Sequence, residues 1–306
     1  MTSLNKMING KMYAEKMLRE IYPLSKEFLE NFNRRPCLTV IQVGENSASK
    51  IYVKNKILTA RKNGIESNEI LLTSDVSEDE LIQHISALNK DEDVDGILVQ
   101  LPLPKHISEK KIINIISPSK DVDGFHPTNF GKLFMGDPKF IPCTPLGCLY
   151  MLKHEIENIK GKNAVIIGRS NIVGKPMASL LLSSDCSVTI THSRTKNIQE
   201  HTRKADILIV AVGTPEMIDE TFIKPGAIVI DVGINRLKSK NEYHPSDKGK
   251  LVGDVNFEKV LKIAEKITPV PGGVGPMTIA CLMHNTVKAA YLNKKHYFIN
   301  VLEGIL

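Results

Sequence analysis

A serine, a tyrosine and a lysine recur at helical spacing in the stretch SASKIYVKNK, as Ser49, Tyr52 and Lys56. Spacings of three and four residues place their side chains on one side of a helix. A lysine amine accepts a proton near neutral pH only where burial or a neighbouring dipole lowers its pKa. Because Val53 and Ala60 would lie beside Lys56 on that helix, we expect partial burial. The stripe is therefore either one wall of an active site or a solvated face, and its spacing leaves both open.

Two further polar residues stand where ligands commonly bind in α/β proteins. Gln100 interrupts the apolar stretch DGILVQLPLP, which predicts a buried strand ended by two prolines. The carboxyl end of a buried parallel strand is the usual ligand edge of an open sheet. A structural amide satisfied by its neighbours fits the stretch equally well. Asp123, in DVDGFHP, lies in the loop that follows, where a buried acid would need a partner or a substrate.

A glycine-rich turn follows the predicted strand NAVIIG and opens a helix. Free backbone N–H groups at a helix start suit a pyrophosphate, so the turn predicts a dinucleotide site. Its spacing departs from G-x-G-x-x-G, because Ser170 and Val173 stand at the middle and last glycine positions between Gly168 and Gly174. An ordinary strand-to-helix turn would look the same.

The end of the next predicted strand favours NADP over NAD. Rossmann domains that prefer NAD carry an acidic residue there, about 20 residues beyond the glycines. Here SVTITH leads into Ser193 and Arg194 without a carboxylate. Arg194 and Arg169 could pair with a 2′-phosphate, since guanidinium geometry fits phosphate oxygens. A surface arginine is also often simply solvated.

The segment PVPGGVGPMT, residues 269–278, holds three prolines and three glycines. Such a loop is rigid, and its backbone can approach a planar ligand closely. Linkers are usually flexible and polar, so a loop that faces a ligand is the better interpretation.

Two acidic runs, DEDVDG and SKDVDG, resemble the first half of a calcium-binding loop. The twelfth position of that loop needs a bidentate glutamate, and the two runs have Pro102 and Phe130 there. Calcium is rejected, and we predict no metal site.

Predicted strands and helices alternate along both halves of the chain, and no hairpin dipeptide joins two strands. This alternation predicts an α/β fold with parallel sheets. The strand segments are CLTVIQVG, NEILLT and VDGILVQLPLP, followed by NAVIIG, SVTITH, ADILIVAVG and AIVIDVG. A length of 306 residues exceeds the usual single core and favours two domains.

Apolar periodicity predicts a helix from about residue 9 to 32, either continuous or divided at Pro23. A second helix covers the opening stretch and stops at Gly64, and Ser77 with Glu80 predicts a capped helix over SEDELIQHISALNKD. A loop-rich segment, residues 117–145, precedes a helix near residues 146–158. The final helix covers MTIACLMHNTVKAAYL, and the tail extends it.

The composition is that of an ordinary globular protein, with 42% hydrophobic and 24% charged residues. No apolar run reaches the length of a membrane span and the N-terminal residues lack the apolar h-region of a signal peptide, so we expect a cytoplasmic protein without membrane partners. The five cysteines show no CxxC pair and predict reduced thiols. A net charge of +6 from scattered lysines, without a nucleic-acid motif, favours anionic small ligands over nucleic acid.

Eight stretches of the chain resemble the methylenetetrahydrofolate dehydrogenase/cyclohydrolase family of one-carbon folate metabolism. They are VGENSASKIYVKNK, DGILVQLPLP, KDVDGFHP, PCTPLG, VIIGRSNIVGKPM, AIVIDVGINR, VGDV and TPVPGGVGPMT. They run in family order from about residue 43 to 278. Ser47 is a departure, because the family commonly has proline there, which changes the entrance of a loop and leaves the three-residue stripe intact.

The resemblance implies NADP-linked oxidation of 5,10-methylenetetrahydrofolate to 5,10-methenyltetrahydrofolate, followed by hydrolysis to 10-formyltetrahydrofolate. It makes Lys56 the central group of the hydrolysis and Gln100 the residue that hydrogen-bonds and tunes it. Tyr52 would stack on the aromatic ring of the folate and Asp123 would hold the pterin, with Ser49 on the same wall of the site. The other implied positions are the cofactor residues Gly168, Arg169, Ser170, Ile172, Ser193 and Ile234, besides Arg194 above, and the folate-loop residues Pro271, Gly272 and Gly273.

The resemblance also implies two α/β domains, the second a Rossmann-type dinucleotide-binding domain, with an active-site cleft between them. The folate-binding catalytic domain would cover residues 1–145, with the C-terminal helix 277–306 packed back on it, and the NADP-binding domain residues 146–276. Members of the family are usually homodimers that act on tetrahydrofolate derivatives.

Three alternatives compete with the bifunctional enzyme. They are a dehydrogenase of the same fold without cyclohydrolase activity, another two-domain α/β dehydrogenase acting on a small acid, and a non-catalytic folate or nucleotide binding module. Retention of Tyr52, Lys56 and Gln100 together argues against the first two. Formation of NADPH would exclude the third.

Overall fold

The structure is a computed structural model that describes residues 3–45, 47–237, 249–302 and 304–305, with only the backbone at 3–4 and 47–49. The helices within these ranges are α1 (Gly10–Phe32), α2 (Ser47–Lys62), α3 (Glu78–Lys90), α4 (Glu109–Ile115), α5 (Pro127–Phe134), α6 (Cys143–Glu155), α7 (Gly174–Ser183), α8 (Ile198–Thr202), α9 (Phe257–Val260) and α10 (Val274–Asn293). The strands are β1 (Cys37–Val43), β2 (Glu66–Leu72), β3 (Gly96–Val99), β4 (Asn163–Ile167), β5 (Ser187–Thr191), β6 (Ile207–Val210), β7 (Ile228–Asp231), β8 (Asn235–Arg236), β9 (Leu251–Val252) and β10 (Lys266–Ile267).

Two parallel sheets organise these strands, which confirms the predicted α/β class. One sheet has three strands in the order β2-β1-β3, and the other has five in the order β10-β7-β6-β4-β5. The inner strands β1, β4, β6 and β7 are almost entirely buried, as expected where helices cover both faces of a parallel sheet. The short pair β8 and β9 is antiparallel.

The chain divides into two compact units, each built around one sheet. The three-stranded unit comprises Glu15–Cys143 and Ile279–Glu303. The five-stranded unit comprises Met1–Ala14, Thr144–Thr278 and Gly304–Leu306. In the described part of the chain, no helix is both long and apolar enough to cross a membrane.

Several predicted elements are present with the expected ends. Helix α1 is continuous and contains Pro23, so the chain is not divided there. Ser77 caps α3 by accepting a hydrogen bond from the Glu80 backbone N–H at 3.1 Å, which confirms the predicted cap. Helix α2 ends at Lys62, two residues before Gly64, whose φ of +72° suits glycine in this turn.

Other boundaries differ from the sequence prediction. The segment predicted as loop contains α5, which begins at Pro127 after the His126 cap, because proline is favoured in the first turn of a helix. Helix α10 begins at Val274, inside the Pro/Gly-rich segment, and ends at Asn293. The expected extension of this helix into the tail is wrong, because residues 294–302 are not helical.

Candidate active site

The carboxyl edge of the three-stranded sheet brings Lys56 and Gln100 together. Lys56 lies on α2, the helix that follows β1, and Gln100 comes directly after β3. Strands β1 and β3 are paired, and the Gln100 N–H donates to the Ile41 carbonyl of β1 at 2.8 Å. Ligands bind at this edge in open parallel sheets, so the pair stands in a functional position.

The Lys56 amine is buried and has two defined neighbours. Only 5% of the residue is exposed, and Nζ donates to Gln100 Oε1 at 3.0 Å. The Gln100 amide is oriented by its own Nε2, which donates to the Leu101 carbonyl at 2.7 Å. The Tyr52 ring centroid lies 4.8 Å from Lys56 Nζ, within cation–π range. The structure therefore places three of the predicted residues in contact.

Burial lowers the pKa of Lys56 from its ordinary value. The ammonium loses hydration in this site, and the nearby Asp123 and Cys143 side chains only partly oppose the effect by raising the pKa. A lysine with a depressed pKa is unprotonated in a larger fraction of molecules near neutral pH. The amine is therefore better suited to accept a proton than a solvated surface lysine is.

Asp123 lies close enough to Lys56 to interact with its charge. Burial raises the pKa of the Asp123 carboxyl, and the Lys56 ammonium lowers it in opposition. The Cys143 thiol hydrogen-bonds to this carboxyl, and its sulfur lies 3.4 Å from the Val122 carbonyl oxygen. Both ionisable groups are thus shifted towards their neutral forms by the loss of solvent.

The segment that carries Asp123 is held from two sides. The Asn285 amide of α10 donates to the carbonyls of Val122 and Ile141 at 2.8 and 3.0 Å. After Asp123 the chain turns at Gly124, whose φ is +73°, and a Cβ there would lie 2.7 Å from the Pro142 nitrogen. Glycine is required at this turn by both its conformation and its close approach.

A buried carboxylate next to this turn fixes the following loop. Asp121 accepts hydrogen bonds from the backbone N–H groups of Phe125 and His126 at 3.2 and 2.8 Å. Its third donor is the Asn129 side chain of α5, at 2.8 Å. The acid two residues before Asp123 is therefore structural, which no feature of the sequence distinguished.

The predicted dinucleotide turn lies at the carboxyl edge of the five-stranded sheet. Its strand β4 stands between β5 and β6, so the strand order reverses there, and crevices at such points bind ligands. Gly168 has φ +125° and its Cβ would collide with the Ala211 carbonyl, while a Cβ at Gly174 would collide with the Gly168 carbonyl. Ser170 Oγ accepts from the Val173 and Gly174 N–H groups at 3.1 and 3.4 Å. This tight turn at the start of α7 fits the close approach of a pyrophosphate.

The other predicted cofactor residues lie on exposed parts of the same unit. Arg169, Ser193 and Arg194 are exposed, and the Arg194 backbone N–H donates to His192 Nδ1 at 3.2 Å. Ile172 and Ile234 are apolar yet 40% and 59% exposed. Exposed apolar side chains of this kind are suited to contact a flat ligand ring.

The loop with Pro271, Gly272 and Gly273 is tightly held within the same unit. The Gly272 carbonyl accepts from the Lys11 N–H at 3.2 Å, and a Cβ at Gly273 would lie 2.6 Å from the Pro269 carbonyl oxygen. A Cβ at Gly10 would in turn collide with the Gly273 carbonyl. These contacts pack the loop closely against the residues at the start of α1.

Two family models match nearly the whole chain. Residues 8–123 match "Tetrahydrofolate dehydrogenase/cyclohydrolase, catalytic domain", and residues 142–294 match "Tetrahydrofolate dehydrogenase/cyclohydrolase, NAD(P)-binding domain". The chain belongs to the tetrahydrofolate dehydrogenase/cyclohydrolase family. The resemblance inferred from the eight sequence stretches is thereby confirmed, as is a Rossmann-type second domain.

Individual relatives of this family are similar over nearly their full length. A "Bifunctional protein FolD" of Acetivibrio thermocellus is 54% identical over 290 residues, which is 95% of this chain and 98% of the relative. The bifunctional enzyme of Campylobacter jejuni is 47% identical with a TM-score of 0.88, covering 94% of this chain and 98% of its own. The Trypanosoma brucei dehydrogenase-cyclohydrolase, complexed with NADP cofactor and inhibitor, is 34% identical with a TM-score of 0.90 over 94% and 98% of the two chains.

The predicted residues of this family member fall into two groups. Tyr52, Lys56, Gln100 and Asp123 come together in the three-stranded unit, and Ser49 lies on α2 with a side chain outside the described residues. The predicted cofactor and loop residues all belong to the five-stranded unit. Sequence reasoning missed the Cys143 thiol beside Asp123 and the supporting Asn285 amide. The only available signal for Cys143 was its place in the family stretch PCTPLG.

Proposed function

We propose that the chain oxidises 5,10-methylenetetrahydrofolate to 5,10-methenyltetrahydrofolate with NADP and hydrolyses the product to 10-formyltetrahydrofolate. The proposal rests on the environment of the Lys56 amine. It is buried, it is held on Gln100 Oε1, and its pKa is lowered by burial. A solvated lysine is protonated at neutral pH and does not act as a base, whereas this one is suited to do so.

In the hydrolytic step, Lys56 receives the proton of the attacking water. The water oxygen bonds to the electrophilic methenyl carbon, and one water proton passes to Lys56 Nζ. The carbon–nitrogen bond to N5 of the folate then breaks as the remaining hydroxyl proton moves to N5, so that the formyl carbonyl forms on N10 and one proton in total stays on Lys56. Gln100 Oε1 fixes the position of Nζ and accepts a hydrogen bond from it throughout.

In the dehydrogenase step, the residues mainly align two flat ligands. NADP, when bound, supplies the hydride acceptor. The Tyr52 ring offers a face on which the folate's aromatic ring can stack, and Asp123 offers a carboxyl group to the polar pterin edge. Ser49, Pro271, Gly272 and Gly273 complete the proposed folate contacts. The turn from Gly168 to Gly174 would hold the dinucleotide phosphates through backbone N–H groups that precede Val173, since the Val173 and Gly174 N–H groups donate to Ser170 Oγ.

Mixing the protein with NADP and methylenetetrahydrofolate tests both activities in one sample. We expect the absorbance of NADPH to appear and that of the methenyl product to decay faster than in buffer alone. If NADPH does not form, the chain is not a dehydrogenase. If NADPH forms but the methenyl compound decays only at its uncatalysed rate, the cyclohydrolase half of the proposal is wrong.

Replacing Gln100 by leucine is expected to slow methenyl hydrolysis about tenfold and to shift its pH–rate profile to lower pH. The hydrolysis rate rises as Lys56 loses its proton. Because Gln100 Oε1 accepts from the Lys56 ammonium, its loss disfavours the charged form and lowers the pKa further. Stopped-flow decay of the methenyl absorbance from acid to alkaline pH measures the shift.

The matched control is Gln42→Leu on β1, where the amide donates to the Gly44 carbonyl instead. A profile unmoved in the Gln100 variant would contradict the role of this amide.

Replacing Arg194 by alanine is expected to reduce the preference for NADP over NAD about tenfold. A guanidinium that pairs with the 2′-phosphate contributes only to the affinity of NADP. The ratio of kcat/KM for the two dinucleotides measures the effect. Lys196→Ala removes another exposed positive charge from the same loop and serves as the control. Equal changes in the two variants would indicate general electrostatic attraction rather than a specific phosphate contact.

We further propose that the three-stranded unit is the folate-binding catalytic domain and the five-stranded unit the NADP-binding domain. The positions of the two family matches support this division. We also propose that the protein is a cytoplasmic homodimer, as expected from its family. Sedimentation equilibrium of the purified chain distinguishes a dimer from the 34.0 kDa monomer.

A further inference from the structure

Two carboxylates with no role in the proposed chemistry are buried at the carboxyl edge of the five-stranded sheet. Asp231 is the last residue of β7, and Asp254 follows β9 by two residues. They are 3% and 0% exposed. Buried acids are rare unless they are fully hydrogen-bonded, so each must be satisfied by its surroundings.

Asp231 accepts three backbone hydrogen bonds. Its donors are the N–H groups of Gly233 at 3.0 Å, Asp254 at 3.0 Å and Val255 at 2.9 Å. One carboxylate thus joins the loop after β7 to the segment after β9. Burial raises the pKa of Asp231 to about 7, so this carboxyl group carries less than a full negative charge near neutral pH.

Asp254 connects the same segment to two other parts of the edge. Its Oδ2 accepts from the N–H groups of Val212 and Gly213 at 2.7 and 2.9 Å, in the loop after β6. Its Oδ1 accepts from the Asn235 side chain at 2.7 Å. The two carboxylates therefore tie together the loops that follow β6, β7 and β9.

The glycines opposite these carboxylates show how closely the loops approach. A Cβ on Gly233 would collide with the Asp254 carboxylate, and a Cβ on Gly253 would collide with that of Asp231. These contacts restrict both loops, because the backbone at Gly233 cannot move closer to Asp254 and the backbone at Gly253 cannot move closer to Asp231.

Ile234 is held between the two carboxylates. Its predecessor Gly233 donates its N–H to Asp231, and its successor Asn235 donates its side chain to Asp254. Yet the Ile234 side chain itself is 59% exposed. An exposed apolar side chain whose two neighbours are both anchored is preorganised to contact a ligand.

The same network reaches the rigid Pro/Gly loop. Thr268, which is fully buried, accepts from the Asp231 N–H at 2.8 Å through its hydroxyl oxygen. Pro269 follows Thr268 directly and opens the segment that contains Pro271 to Gly273. The hydrogen bond therefore links the start of this loop to the end of β7 at Asp231.

We propose that Asp231 and Asp254 are positioning residues for the dinucleotide, which hold Ile234 and the Val212–Gly213 turn in place where the cofactor binds. The inference rests on the proposed function, since it assigns these loops to NADP. Neither carboxylate touches the ligand in this arrangement. Each satisfies backbone N–H groups that the sheet leaves unpaired and thereby gives the binding edge a single shape.

Direct binding of NADPH tests the proposal without relying on turnover. The variant Asp254→Asn keeps the size of the side chain but leaves one accepting oxygen for the three donors that Asp254 binds. We expect it to raise the Kd for NADPH about tenfold, measured by fluorescence titration. Hydrolysis of added methenyltetrahydrofolate, which does not use the dinucleotide, should fall by a smaller factor than the affinity for NADPH.

Asp206→Asn is the matched control in the same unit. Asp206 precedes β6, at the amino end of the sheet, and accepts from the Asn163 N–H at 2.9 Å while pairing with Lys224 at 2.6 Å. This variant loses comparable hydrogen bonds, and so it reports any effect of reduced stability alone. Its NADPH affinity should equal that of the parent.

A milder variant covers the case in which Asp254→Asn does not fold. Asn235→Ala removes one donor from Asp254 and leaves both carboxylates in place, and we expect it to weaken NADPH binding several-fold. Parent-like affinity in the folded Asp254 variant or in Asn235→Ala would overturn the inference. So would equal loss of NADPH affinity in the Asp206 control. A parent protein that binds no NADPH would instead overturn the proposed function.

Discussion

Replacing Lys56 by methionine is expected to lower the rate of methenyl hydrolysis about a thousandfold while leaving measurable dehydrogenase activity. Methionine keeps much of the length of the side chain but cannot accept a proton. The dehydrogenase step depends on alignment of the ligands and has no proton to be removed by Lys56. Parallel recording of NADPH formation and methenyl decay separates the two rates.

An exposed lysine on the same helix provides the control for this experiment. Lys54 lies on the same helix, two residues earlier, and its side chain is exposed. Lys54→Met removes the same charge from α2 without touching Gln100, and both activities should remain. If the Lys56 variant hydrolysed the methenyl compound at the parent rate, another group would have to be the proton acceptor.

Adding one methyl group at Gly174 is expected to weaken NADPH binding about a hundredfold. A Cβ at this position collides with the Gly168 carbonyl, so the whole turn from Gly168 to the start of α7 must shift. That turn carries the backbone N–H groups proposed to hold the dinucleotide phosphates. The Kd of the Gly174→Ala variant, from NADPH fluorescence, measures the loss. Methenyl hydrolysis should persist, because it needs no dinucleotide.

Gly226→Ala is the matched methyl addition in the same unit. Gly226 lies just before β7, at the amino end of the strand, and a Cβ there meets no atom within 4 Å. Its φ of +81° makes alanine unfavourable by about 1 kcal/mol. This variant therefore loses stability without a collision at the nucleotide edge. Equal NADPH affinities in the two variants would show that the Gly168–Gly174 turn does not hold the cofactor.

The regular elements were accessible from sequence wherever a local pattern specified them. Buried strands such as CLTVIQV are runs of apolar residues, and the Ser77 cap depends on residues three positions apart. Helix α5 was missed because its start depends on His126 and Pro127 inside a segment rich in turn-forming residues. The end of α10 was missed because the tail carries no glycine or proline to mark it.

The sequence by itself determined the alternation of strands and helices, the family, and the list of polar residues able to do chemistry. These follow from spacing along the chain and from motifs of consecutive residues. Only the tertiary structure decided which of those residues act together. The contact between Lys56 and Gln100 joins positions 44 residues apart, and the depressed pKa of Lys56 arises from burial.

The same limit applies to the buried carboxylates. In the sequence, Asp121 and Asp123 belong to one acidic run, and Asp231 and Asp254 are single acids that follow apolar residues or glycine. In the structure, Asp123 interacts with Lys56, whereas the other three accept backbone N–H groups. Folding brings N–H donors from distant segments of the chain to these carboxylates, so the role of each acid depends on the folded structure around it.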